Sequence, residues 1–118
     1  MNVKILHFLF LVFISLIQGC APSTKLDTLV AKDPLPSNCR PLIFLPVDQL
    51  PENYETVAIV KYGDAGFSVG CGKEDIRVKM SAKACKAGAN GILIREEKSP
   101  SLASTCYRVT AEFISYQE

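Results

Sequence analysis

The sequence predicts a small α+β domain, a sheet of three to four strands packed on one main helix and stapled by disulfides. Three observations carry that expectation. Thr56-Val57-Ala58-Ile59-Val60 is an unbroken apolar run, the mark of a strand buried on both faces. Ile76, Met80, Ala84 and Ala87 recur at the spacing of one helical face. Tyr107, Val109, Ala111 and Phe113 then alternate with Arg108, Thr110 and Glu112, as a strand with one wet face requires. Four cysteines, Cys39, Cys71, Cys85 and Cys106, are distributed through this region.

The first twenty of the 118 residues form a separate unit. Lys4 precedes an apolar run from Phe8 to Ile14, extended by Leu16 and Ile17, which is the charged and apolar order of a secretory signal and is short for a membrane span. The run ends in Ile17-Gln18-Gly19-Cys20, and this junction resembles a bacterial lipobox. The resemblance implies a signal peptide over residues 1–19, cleavage after Gly19 and lipid on Cys20, which becomes the first mature residue. The alternative is an uncleaved anchor with an incidental cysteine. Ala21, rather than Asp, follows Cys20 and is similar to the pattern of lipoproteins sent on to the outer membrane. Several acyl chains, at about 0.8 kcal/mol per buried methylene, anchor a protein permanently.

Residues 20–38 carry Pro22, Pro34 and Pro36, scattered charge and no sustained period, and read as a lipidated tether. The compact domain then spans 39–118. Leu42-Ile43-Phe44, flanked by Pro41 and Pro46, suits an edge strand, and residues 47–54 suit a turn or short helical piece. The helix is expected to begin near Glu74 or Asp75, whose carboxylates meet the positive end of its dipole, and to stop at Gly88. Ala89 to Arg95 forms the next strand, and residues 96–104 a polar loop containing Pro100.

Thirteen basic and twelve acidic residues leave no global field that would attract nucleic acid. His7 is the only histidine and lies in the leader, so the mature chain has no imidazole for a triad, a Cys-His pair or a mixed metal site. No catalytic group, cofactor or small-molecule substrate is expected; the only attached group is the lipid on Cys20. Asp64, Glu74, Asp75, Glu96 and Glu97 read as turn and cap residues rather than an acid/base pair.

An even number of cysteines in a short exported domain argues for disulfides. A zinc site built from all four thiolates is the alternative, although no CxxC pair occurs. Of the three pairings, Cys71–Cys106 would clip neighbouring strand ends, and Cys85 on the helix could then reach Cys39 on the entering chain. Lys73, Arg77, Lys79, Lys83 and Lys86 make the helix basic. They form either a solvated face or a patch for an acidic partner or anionic headgroups; no aromatics are interleaved to stack bases.

Residues 54–115 are similar to the folded domain of the Rcs-phosphorelay outer-membrane lipoprotein sensor of enterobacteria. The similarity is carried by Gly63-Asp64, Cys71, the basic helix with its Met and small residues from Arg77 to Lys86, Ala89-Asn90 with the apolar strand to Ile94, and Cys106-Tyr107-Arg108. It implies a compact α+β domain with two disulfides, one of them between Cys71 and Cys106. The family's second disulfide lies around the last two strands, whereas the remaining cysteines here are Cys39 and Cys85.

The expected function is that of a non-enzymatic outer-membrane lipoprotein. It would be held to the membrane by its lipid and bind another envelope protein from the periplasm, in envelope-stress sensing or assembly. Loops 61–73 and 96–105 would be the working surface, with the basic helix as a second. The competing expectations are a disulfide-based redox sensor, using Cys39–Cys85, and a small metal-binding module.

Overall fold

The computed structural model describes residues 24–63, 70–102 and 104–118, together with residues 2–5, 7, 9 and 12. The chain forms β1 (Thr24–Thr28), β2 (Leu42–Phe44), β3 (Tyr54–Tyr62), α1 (Lys73–Lys86), β4 (Gly91–Lys98) and β5 (Arg108–Tyr116). The five strands make one mixed sheet in the order β1-β3-β5-β4-β2. Only β2 and β4 run parallel; the other neighbours are antiparallel. The architecture is the expected α+β, but with five strands rather than three to four.

The additional strand comes from the segment read as a tether. Thr24–Thr28 pairs along β3 from Thr24↔Tyr62 to Thr28↔Ala58, and every residue of it is exposed. A strand that buries none of its side chains shows no hydrophobic alternation, and its pairing rests on main-chain bonds alone. The chain then stays on the domain. Leu29 and Val30 both donate to the Val57 carbonyl, at 2.8 and 3.0 Å, where β3 bulges between Thr56 and Ala58. Leu35 N–H reaches the Cys85 carbonyl at 2.8 Å. Residues 24–38 are therefore a strap across the fold rather than a spacer.

The core lies between α1 and one sheet face. Ile76, Met80 and Ala84 are fully buried against Ala58 and Val60 of β3, Ala111 and Phe113 of β5, and Ile92 and Ile94 of β4. Each large side chain taken out of water contributes roughly 1.5–3 kcal/mol before entropy is counted. The first turn of α1 carries Glu74 and Asp75 and the last Lys83 and Lys86, matching the dipole at both ends. Gly88 closes the helix at φ +78°, and Ala89 N–H bonds the Ala84 carbonyl at 2.9 Å.

The opposite face carries a smaller apolar patch at one end. Leu93 and Ile114 are buried there, and Phe44 meets Tyr116 edge-on with centroids 5.8 Å apart. The other end of that face is polar and open. A second bulge between Ile94 and Glu96 shifts the register of β4, which runs on to Lys98. The polar loop expected from residue 96 therefore starts three residues later, because Glu96, Glu97 and Lys98 pair through their backbones while their side chains stay exposed.

Candidate functional site

The cysteines are joined as Cys39–Cys85 and Cys71–Cys106, with Cα separations of 6.1 and 4.8 Å. The first ties the strap to the last turn of α1. The second ties Cys71, one residue ahead of the Gly72 cap of α1, to the residues entering β5, beside a backbone bond from Tyr107 N–H to the Cys71 carbonyl of 2.8 Å. Cys71, Cys85 and Cys106 are buried, and Cys39 is partly exposed. Oxidised sulfur offers no thiolate to a metal, and among the described residues no three His, Cys, Asp or Glu side chains converge. Cys20 and the lipobox junction lie outside the described residues, as do residues 64–69 of the expected working loop.

Helical geometry does not gather the five cations into one outward patch. Lys79, Lys83 and Lys86 flank the buried stripe on one side, and Lys73 and Arg77 on the other. Most already hold partners within the domain. Lys73 lies 3.8 Å from Glu97 and 5.8 Å from the Tyr107 ring. Arg77 approaches Glu74 at 3.7 Å, Lys79 donates to the Gly70 carbonyl at 2.9 Å, and Lys83 sits 5.6 Å from the Tyr62 ring. Lys86, exposed, borders the gap between α1 and β1. The outward face of α1 is instead Val78 and Ala82, with Asp75 on its rim, and Val78 is 69% exposed. The five cations thus lie on two flanks of the buried stripe. A lysine beside a buried stripe lies back over the sheet, and one-dimensional spacing does not distinguish that from a solvated position.

The expected loop 96–105 forms the cystine end with Cys71–Cys106. Leu102 at its tip is fully exposed, whereas Ser104 behind it is buried and exchanges backbone bonds with Ser101. The sequence reading missed Tyr107, which donates its hydroxyl to the Glu97 carboxylate beneath Lys73. Tyr107 stood in the alternating pattern as a core residue; its polar partner, from a segment read as loop, left no signal.

Burial, reinforced by the bond to Glu97, pushes the Tyr107 phenol far above its usual value, and burial raises Tyr62 as well. Both phenols are thus held protonated in the fold while the unfolded chain ionises near pH 10. Stability is full below that pH and falls as pH rises through it towards the folded values. Urea unfolding at stepped alkaline pH is expected to show a midpoint that declines from about pH 10. In Tyr107→Phe the decline is shallower; an identical slope would show that this phenol is not held protonated.

Comparison with known protein families, curated proteins and solved structures finds no match to this chain.

Proposed function

We propose that the protein is a non-enzymatic outer-membrane lipoprotein whose disulfide-stapled domain binds another envelope protein from the periplasm, in stress sensing or assembly. The observation that carries this reading is an apolar leader ending in Gly19-Cys20, with a cystine-bearing domain directly behind it. Disulfides persist in an oxidising compartment, which is where such a leader delivers a chain. The motifs of residues 54–115 that resemble the Rcs-phosphorelay lipoprotein sensor are taken into the same proposal. The cations of α1 are largely engaged within the domain, so the contact surface is better sought at exposed apolar points: Val78 on the helix and Leu102 in the cystine-end loop.

Photo-crosslinking residues placed at Val78 or Leu102 of the lipid-bearing protein test this in the native envelope. A discrete adduct with one envelope protein, absent when the same crosslinking residue is placed instead at the exposed Val47, is the expected outcome. Absence of any adduct from either position, with the protein acylated and abundant, would overturn the binding-module reading.

The redox reading keeps one favourable observation: Cys39 is the partly exposed member of the four paired cysteines. A thiolate needs access to a sulfur, and this is where it would find it. A reduction potential for Cys39–Cys85 below about −300 mV would class the bond as structural.

A further inference from the structure

Two cross-strand pairs at one end of the sheet set cation against cation. Lys25 of β1 lies directly opposite Lys61 of β3, and Lys98 of β4 directly opposite Arg108 of β5. The alternation of the strands puts all four on the face away from α1, since Tyr62 and Val109, their chain neighbours, belong to the helix-side core. Like charges directly opposite one another destabilise a sheet. The acids nearby relieve this little: Asp27 lies 3.8 Å from Lys25 and Glu96 4.0 Å from Lys98, all four side chains being more than half exposed. Lys61, Lys98, Arg108 and Thr110 line a hollow of about 200 Å³ together with the one carboxylate of Glu96. The Nε of Arg108 is buried and finds no hydrogen-bond acceptor among the described residues.

The position of this end is set by the covalent chain. Thr24, the first residue of β1, pairs with Tyr62, and the Lys98–Arg108 pair lies at the same end of the sheet. Cys20 precedes Thr24 by only four residues, a reach of about 14 Å even when fully extended. With acyl chains on Cys20, the cationic end of the sheet is held within or just above the headgroup layer. An anionic surface there relieves the repulsion within both pairs and supplies acceptors for Arg108.

We infer that Lys25, Lys61, Lys98 and Arg108 form a docking surface for the phosphates of anionic phospholipids in the leaflet that holds the anchor. The inference rests on the lipidation of Cys20 proposed above. It makes the domain a module of fixed orientation, lying on the membrane by its cationic end rather than swinging above it.

The test reconstitutes the acylated full-length mature protein into vesicles of phosphatidylcholine alone or mixed with phosphatidylglycerol. Modification of each lysine by a water-soluble acylating reagent is then followed by peptide mass spectrometry. Lys25, Lys61 and Lys98 are expected to react about fivefold more slowly on the anionic vesicles, the effect of one lysine's attraction to such a surface. Lys32 and Lys86, at the other end of the helix side, should react equally on both and serve as references. The protection should vanish at high salt. In Lys61→Gln/Lys98→Gln, with both disulfides intact, Lys25 should lose its protection. Uniform rates on the two vesicle types, from a protein whose intact mass carries the lipid, would overturn the docking surface and leave the lipoprotein reading standing. Equal protection by dissolved inorganic phosphate on neutral vesicles would also overturn it, assigning the hollow to a free anion. An intact mass without acyl chains would remove the lipoprotein reading and this inference together.

Discussion

Replacing Cys71 and Cys106 together by alanine is expected to lower the stability of the domain by about 3–4 kcal/mol in the chain-entropy model. The crosslink spans 35 residues and encloses α1 and β4, so its loss frees the segment carrying a third of the folded elements to explore a wider unfolded ensemble. Both sulfurs are buried, at 2% and 0% exposure, and their removal also leaves unfilled space beside Tyr107 and Ile76 in the core cluster. Small domains have only about 5–15 kcal/mol in hand, so the double variant should stand near the edge of folding at physiological temperature. Urea unfolding of the wild type and the variant under non-reducing conditions gives the difference directly. A loss below about 1 kcal/mol would show that the bond contributes little more than an ordinary surface contact.

Gly88→Val is the second large effect. The residue sits at φ +78°, a conformation that costs a side-chain-bearing residue roughly 1–3 kcal/mol and a β-branched one the most. Steric overlap adds to the strain. A Cβ at this position would lie 2.6 Å from the Asp33 carbonyl oxygen and 2.7 Å from the Lys32 side chain. Either the helix terminus opens or the strap lifts. Because Lys32 also pairs with Glu55 at 2.8 Å, lifting the strap breaks a contact to β3 as well. Hydrogen exchange should show faster turnover at Leu29, Val30 and Leu35, whose amides hold the strap to Val57 and Cys85. Gly88→Ala, with the same Cβ clash but no branching, should follow in the same direction by a smaller amount. Unchanged exchange at the three amides in both variants would mean that the strap does not depend on the absence of a side chain at residue 88.

What the sequence revealed follows from which forces leave a periodic trace. The stripe Ile76-Met80-Ala84 and the alternation Val109-Ala111-Phe113 are legible because burial selects one side chain in 3.6 or one in two. Gly88 is legible because few residues tolerate its backbone. Thr24–Thr28 and the end of β4 are not, since their side chains face water and only their peptide groups are used. The same reasoning governs the candidate sites. Cysteines announce themselves by type, whereas the opposition of Lys25 to Lys61 and of Lys98 to Arg108 exists only once the register is known. The helix lysines follow a related rule: spacing locates a Cα around the helix axis but not the ring or carboxylate towards which a long side chain bends.

The order of the strands also bears on how such a chain acquires its sheet. β5, the last of the described elements in chain order, is the middle strand, with β3 and β4 hydrogen-bonded to its two sides. No stable sheet can therefore assemble around the leading part of the chain; β3 and β4 have no common partner until residues 108–116 arrive. A polypeptide of this topology holds its sheet open until that central strand is in place and becomes compact only then. The edge strands β1 and β2, though first in the chain, each lie against a neighbour that the central strand holds in place.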